Sequence, residues 1–169
     1  MEPDFITPMI ASTRHVFNTL MQLSILARDP CPLQRPGSVH DVSGITGLSG
    51  DVTGAIIFSL PLESARQIVR RFAGQNLEPD HPDFCDAIGE LTNMIAGGTK
   101  GLMGGRRVQI SCPTVILGPG HIVSSRRYVS GFAVPCVTDC GELTLGICVT
   151  EHAPAPASRA ARPGSVPVS

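Results

Sequence analysis

The stretch DAIGELTNMIAGGTKG carries three polar residues, Asp86, Glu90 and Asn93, whose types and spacing could support chemistry. They follow one another at steps of four and three residues, the spacing that brings side chains to one side of an α-helix. A carboxylate can pair with a cation, and an asparagine amide can both donate and accept hydrogen bonds. Such a stripe could bind and orient a polar partner, or it could be only the solvated side of a helix.

The residues around this stripe define the helix that must carry it. At about 100° per residue, the three polar residues and Gly97 fall within a wedge of about 60°. The other side of the helix is apolar and would face a core: Ala87, Ile88, Leu91, Met94 and Ile95. Asn93 is a poor residue for the middle of a helix, and Gly97 leaves room for another backbone to approach. These features favour a site, but the residues alone leave both interpretations open.

Apolar periodicity and turn residues predict the elements that position this helix. The predicted elements, in chain order, are an amphipathic helix over about 5–26, a β-hairpin over 39–61, a helix over 61–74, the polar-striped helix from 82 to about 95, and about four strands over 107–150. Pro8 is expected in the first turn of the first helix, and Gly50 and Gly141 in the two hairpin turns. Strands in runs separate from helices predict an α+β fold with long helices packed on a mainly antiparallel sheet.

Length and composition bound the domain organisation and exclude several functions. Residues 1–150 are expected to form one domain, and the proline- and alanine-rich residues 151–169 a disordered tail. The chain has 13 basic and 14 acidic residues, no tryptophan and one tyrosine, unlike a protein that neutralises phosphates and stacks bases. No secretory signal is evident, and no apolar run approaches the about 20 residues of a membrane span. We therefore expect a cytoplasmic protein with no nucleic-acid or membrane partner.

Six scattered cysteines raise the separate question of a metal or thiol site. No CxxC pair occurs, and a cytosolic compartment keeps thiols reduced. Cysteines inside apolar strands are more often small buried hydrophobes than metal ligands. We therefore predict no metal on this chain. The weaker alternative is a thiol or zinc protein built on Cys136 and Cys140, with His121 or His152 as a further ligand.

The polar stripe resembles the signature of the CheC/CheX chemotaxis phosphatases. In that family an aspartate, a glutamate four residues later and an asparagine three residues after it are followed further on by a proline. The matching residues here are Asp86, Glu90, Asn93 and Pro113. The resemblance implies the layered fold of that family, in agreement with the α+β prediction.

The likeness extends over about residues 5–150. FITPMIASTRHVFNTLM is similar to the opening helix of CheX proteins, SGDVTGAIIFSLP to their first hairpin and FAVPCVTDCGELTLGICV to their closing hairpin. The first helix offers His15 and Asn18 at the three-residue step but no glutamate before them. The resemblance therefore implies a CheX-like member with a single site.

The resemblance implies an enzyme that removes the phosphoryl group from the phosphoaspartate of a CheY-type response regulator. Asn93 would orient the attacking water, Glu90 would pair with a lysine of the regulator, and Asp86, Gly97 and Gly98 would contact the partner. An amide suits this reaction because phosphoryl transfer from an acyl phosphate needs positioning more than a strong base. A homodimer is also implied, with no cofactor on this chain and Mg²⁺ on the response regulator.

The main alternative is a non-catalytic module that binds a phosphorylated receiver domain in signalling or at a flagellar switch. The intact pair of Glu90 and Asn93 favours catalysis, because a pure scaffold has no need of it.

Overall fold

A computed structural model describes residues 4–33, 37–38, 40–123 and 131–151. Within these residues the helices are α1 (Ile6–Met21), α2 (Leu62–Ala73) and α3 (Pro82–Gly101). The strands are β1 (Leu26–Ala27), β2 (Cys31–Pro32), β3 (Gly37–Ser38), β4 (Val42–Gly50), β5 (Val52–Leu60), β6 (Val108–Ile110), β7 (Thr114–Leu117), β8 (Ile122–Val123), β9 (Gly131–Thr138) and β10 (Gly141–Glu151). The sequence does not predict the short strands β1 to β3, but the order of the other elements, a helix, a hairpin, two helices and a run of strands, is the one that it predicts.

Most of these strands form one antiparallel sheet, in the order β1-β9-β10-β5-β4-β6. β2 also pairs with β9, β7 also pairs with β4, and β3 and β8 form a separate two-stranded ribbon. Both predicted hairpins are present, because β4 pairs with β5 and β9 pairs with β10. Gly50 and Gly141 take positive φ values of 111° and 114° at the two turns, a conformation that glycine adopts without strain. The prediction of long helices on a mainly antiparallel sheet is confirmed.

The helices cover one face of this sheet. Phe17 of α1 meets Phe58 of β5 edge to face, with ring centroids 6.0 Å apart, and both side chains are fully buried. Gly44 of β4 lies beneath α3 so closely that an added Cβ would collide with the hydroxyl of Thr92. Thr92 itself is buried and donates that hydroxyl to the carbonyl of Ile88, one turn earlier. The glycine in β4 therefore allows α3 to lie directly on the sheet.

A chain of hydrogen-bonded side chains lies on the opposite face of the sheet. His121 Nε2 lies 2.9 Å from the hydroxyl of Ser43, which lies 3.0 Å from the hydroxyl of Ser59. The backbone N–H of His40 donates to the hydroxyl of Ser59. The Nε2 atom of the His40 ring lies 3.0 Å from the hydroxyl of Thr144. These contacts attach the segments before β4 and after β7 to the central strands.

The first helix is shorter than predicted. α1 ends at Met21, and Gln22 follows in the left-handed conformation with φ of 51°. Leu26 begins β1 and is 66% exposed, so its apolar side chain is not part of the helical face. The sequence shows no helix-breaking residue between Met21 and the proline-rich segment that begins at Arg28, and Leu23 stays buried beyond the helix end. The placement of Pro8 in the first turn is confirmed.

The domain boundaries stay a prediction. Glu151 ends the last described strand, and residues 152–169, nearly all of the predicted tail, lie outside the described residues. Among the described helices, none is both long enough and apolar enough to cross a membrane.

Candidate active site

The helix that carries the polar stripe has well-defined starting residues. His81 precedes it in an extended conformation, and its ring Nδ1 accepts a hydrogen bond from the Asp83 N–H at 3.2 Å. Pro82 is the first helical residue, where its missing N–H leaves no intrahelical bond unmade. Asp83 in the first turn and Lys100 in the last turn both carry the sign that the helix dipole favours. Local sequence thus defines where α3 begins and matches the charges at its two ends to the helix dipole.

The buried side of α3 fixes the orientation of the stripe. The buried residues are Phe84, Ala87, Ile88, Gly89, Leu91, Thr92, Ile95, Ala96 and Thr99. On the other side Asp86 and Glu90 are exposed, and Asn93 and Gly97 are half-buried. The predicted division of the helix into a core side and a polar side is confirmed, with Asn93 lying closer to the core than the two carboxylates.

The wall opposite this stripe is an edge strand interrupted by a β-bulge. β6 and β7 both pair with β4, with Ile110 opposite Leu48 and Thr114 opposite Ile45. Four steps along the edge strand therefore face only three along β4. The segment 111–113 contains one residue too many for a regular ladder, and such bulges bend a strand and redirect its side chains.

The bulge contacts both β4 and α3. Ser111 N–H donates to the carbonyl of Gly47 at 2.9 Å, and its hydroxyl accepts the Gly47 N–H at 2.8 Å. On the helix side, a Cβ at Gly89 would lie 3.6 Å from Pro113 Cγ and 3.6 Å from Val115 Cγ2. A methyl group at residue 89 would thus make ordinary van der Waals contact with the edge strand, which packs against α3 one residue before Glu90.

Between α3 and the bulge lies an open groove of about 590 Å³. Its lining residues are Cys85, Asp86, Gly89, Glu90 and Asn93 from α3 and Ile110, Ser111, Cys112, Pro113 and Val115 from the edge strand. The structure therefore brings the three predicted polar residues together with Pro113. Sequence reasoning missed Cys85, Ser111 and Cys112, and the place of the last two depends on a strand register that no local signal specifies.

The polar groups of the groove are available to a partner. Within the described part of the chain, the side chains of Asp86, Glu90 and Asn93 make no hydrogen bond or ion pair. Burial raises the pKa of the Cys85 thiol, and the nearby carboxylate of Asp86 raises it further. A protonated thiol is a weak nucleophile, so Cys85 does not suit covalent catalysis. The arrangement suits recognition and orientation by carboxylate and amide.

The two glycines predicted to contact a partner lie in different surroundings. Gly97 is half-buried, and a Cβ there would have Ile110 Cδ1 as its nearest neighbour, at 4.0 Å. A Cβ at Gly98 would collide with the hydroxyl of Ser12 on α1. That hydroxyl donates to the carbonyl of Ile95 at 2.8 Å, so α1 and α3 meet closely here. Gly98 therefore serves packing within the chain, but it is also exposed, and its contact with a partner stays a prediction.

The described residues do not support the zinc alternative. No group of three or more histidine, cysteine, aspartate or glutamate side chains among them is placed to hold a metal ion. Cys136 belongs to the buried core, which raises the pKa of its thiol to about 11. His121 bonds instead to Ser43, on the face of the sheet away from the helices, and His152 lies outside the described residues.

Comparison with known proteins identifies the family. The sequence model described as chemotaxis phosphatase CheX matches residues 42–137, which is more than half of the chain. The chain belongs to the CheX family. This match includes β4, β5, all of α3 and the edge strand, and so every residue that lines the groove. The resemblance inferred from the polar stripe is thereby confirmed.

Individual relatives agree with this assignment. The CheY-P phosphatase CheX of Thermotoga maritima is 26% identical over 122 residues, which are 70% of this chain and 78% of that protein. The crystal structure of the chemotaxis protein CheX from Desulfovibrio desulfuricans is 27% identical with a TM-score of 0.80, covering 87% of this chain and 99% of that one. A CheX–CheY–BeF3–Mg²⁺ complex from Borrelia burgdorferi shares the fold, with 24% identity, a TM-score of 0.73 and coverage of 89% and 100%.

Proposed function

We propose that this CheX family member hydrolyses the phosphoaspartate of a CheY-type response regulator at the groove beside α3. The observation that carries the proposal is the pair of Glu90 and Asn93, which lie one turn apart in an open groove without an intramolecular polar partner among the described residues. The name of the Thermotoga relative, a phosphatase of phosphorylated CheY, supports the same reaction.

Asn93 is assigned the role of orienting the attacking water. Its carbonyl oxygen can accept a hydrogen bond from the water while its NH₂ group donates to a second acceptor. An acyl phosphate is already activated, and its transfer through a loose transition state depends mainly on placing the water in line with phosphorus. Half-burial restricts the amide while leaving one side open to the groove. No covalent intermediate on this chain is needed.

Glu90 is assigned the role of holding the partner. It is exposed one turn before Asn93, and a carboxylate there can form a charge-assisted hydrogen bond with a lysine at the regulator's active site. Asp86, exposed one turn earlier still, and Gly97, on the same side of α3, would contact the regulator at either end of the pair. Mg²⁺ belongs to the regulator in this scheme. The Borrelia complex, which contains CheX, CheY, BeF3 and Mg²⁺, supports that choice of partner.

Separate measurements of binding and hydrolysis test this assignment. Glu90→Lys would place cation against cation and should weaken binding of a beryllofluoride-activated receiver. Glu142→Lys, which reverses an exposed carboxylate on β10, is the matched control and should bind as the wild type does. If the wild type binds the receiver but does not accelerate phosphate release, the phosphatase assignment is wrong and the non-catalytic binding module is the better interpretation.

The quaternary state and cellular location belong to the same proposal. We expect a cytoplasmic homodimer, as the resemblance to the family implied. Light scattering on the purified full chain measures the mass in solution, and a monomer at all concentrations would contradict the dimer.

A further inference from the structure

The polar stripe of α3 extends past the groove, and the charge of its side chains changes there from negative to positive. Lys100 lies seven residues after Asn93, which is about 10 Å along the helix axis and within about 20° of the same direction. It is exposed and forms no ion pair with another described residue. The open side of α3 therefore carries carboxylates at Asp86 and Glu90, an amide in the middle and a cation at its end.

A second groove of about 680 Å³ lies at this cationic end. Lys100, Arg106 and Arg107 line it together with one carboxylate, that of Asp51. We call it the cationic groove. Three positive side chains face one negative one there, so its net charge is positive although the chain as a whole carries a net charge of −1.

The contacts with Asp51 leave much of the Arg107 charge exposed. Asp51 accepts the backbone N–H of Arg107 at 2.8 Å, while the Arg107 guanidinium stands 3.6 Å from the same carboxylate with its side chain 85% exposed. Such an exposed pair contributes little stability. Arg106 donates to the carbonyl of Met103 and lies over the ring of Phe5, so its charge is held in place at the edge of the groove.

The helix dipole accounts for only part of this arrangement. A cation in the last turn of a helix is favourable, which suffices for Lys100 taken alone. Arg107 lies outside the helix, six residues after its last residue, and gains nothing from the dipole. Lys100, on the polar side of α3, and Arg107, outside the helix, thus line one groove whose charge is opposite to that of the Glu90 end.

We propose that the cationic groove is a second docking subsite, which binds acidic side chains on the phosphorylated receiver and helps to select among receivers. This inference rests on the proposed function, because it uses the same partner in the same orientation. A receiver seated with a lysine at Glu90 and its phosphoryl group at Asn93 would place a further part of its surface over Lys100. Acidic residues there complement the groove, and a neutral or basic surface does not.

A double charge reversal tests the subsite. Lys100→Glu with Arg107→Glu should weaken binding of a beryllofluoride-activated receiver about tenfold at low salt and much less at high salt. The matched control is Arg28→Glu with Arg70→Glu, which reverses two exposed cations, one of them in the last turn of α2. At saturating phosphorylated receiver the double variant should retain the wild-type rate of phosphate release. Replacement of an acidic receiver residue by lysine should restore the affinity between that receiver and the double variant.

The outcomes separate this inference from the proposed function. Unchanged receiver affinity in the double variant, or an equal loss in the control, would overturn the subsite even if hydrolysis were normal. If the wild type binds the receiver in a salt-dependent manner and the double variant does not, the result supports the subsite, even if the wild type releases no phosphate. Binding of inorganic phosphate alone at Lys100 and Arg107, with receiver affinity unchanged in the variant, would make the groove a site for free anions and overturn the proposal.

Discussion

Pro113 packs across Gly89, with its Cγ 3.6 Å from the position that a Cβ of residue 89 would occupy. This contact brings the bulged edge strand against α3 directly beside Glu90. A larger side chain at residue 89 would meet the proline ring and part of β7. The groove therefore lies where Gly89 of the helix meets an extra residue of the edge strand, and the two are far apart in the sequence.

The two neighbouring glycines of α3 should respond oppositely to alanine. Gly98→Ala would drive a methyl group into the Ser12 hydroxyl, and we expect it to lower the free energy of unfolding by about 1–3 kcal/mol. Gly97→Ala has room, and the gain in helix propensity should raise stability by up to about 1 kcal/mol. Urea denaturation measures both. If Gly97 allows the partner to approach, its alanine variant should nevertheless bind the activated receiver more weakly.

The contrary result for this pair is equally clear. Equal stability of the two alanine variants would remove Gly98 from the contact between α1 and α3. Combining Gly98→Ala with Ser12→Ala should recover part of the loss, because the hydroxyl that meets the new methyl group is then absent.

The exposed thiol of Cys112 provides a chemical test of the groove. Cys31 and Cys112 are exposed, whereas burial raises the pKa of Cys136 to about 11 and should leave it unreactive near neutral pH. A bulky maleimide on Cys112 would fill the groove and should weaken receiver binding at least about tenfold. Mass spectrometry identifies the labelled residues, and binding is measured on the same sample.

Cys112→Ser is the matched control for this labelling. The variant still carries the exposed Cys31, and burial raises the pKa of the Cys85 thiol in the groove, so treatment with the same reagent should leave its receiver binding unchanged. Full binding by wild-type protein that is completely labelled at Cys112 would show that the receiver docks elsewhere.

Acidification should destabilise the protein through His40. Burial lowers the pKa of this ring below its usual value near 6.5, although the carboxylates of Glu142 and Asp41 oppose the shift. The unfolded chain therefore binds the proton more readily, and the free energy of unfolding falls as pH drops from about 6.5 through the lower folded value. Denaturation of His40→Gln across this range should show a flatter pH profile than the wild type.

His15, exposed on α1, supplies the control for that measurement. His15→Gln should retain the wild-type slope. The same slope in His40→Gln and in the wild type would mean that burial of His40 has no effect on its protonation.

The sequence predicts the parts of the site that depend on local spacing. The helical side shared by Asp86, Glu90 and Asn93 follows from steps of four and three residues, and the structure places all three in one groove. The predicted end of α1 is too late because no proline or glycine stands between Met21 and the proline-rich segment after Arg28, although Leu23 stays buried in a non-helical segment. Apolar spacing reports burial, and here burial continued where the helix did not.

The remaining features depend on contacts between distant segments. The bulge beside Pro113 exists because β6 and β7 differ by one residue in their register with β4, which no short stretch encodes. The role of Gly98 is equally ambiguous in the sequence. A glycine that allows close contact with Ser12 cannot be distinguished there from one that allows close contact with a partner. Such contacts are visible only once α1 and the sheet are placed against α3.

The most direct test of the central claim compares two asparagines. The measurement is the rate of phosphate release from a phosphorylated CheY-type receiver with wild-type protein, Asn93→Ala and Asn18→Ala, the last an exposed asparagine on α1. The account predicts that the wild type and Asn18→Ala accelerate release equally and that Asn93→Ala loses at least about a hundredfold while still binding the activated receiver. Equal acceleration by all three proteins would contradict the assignment of the α3 groove as the active site.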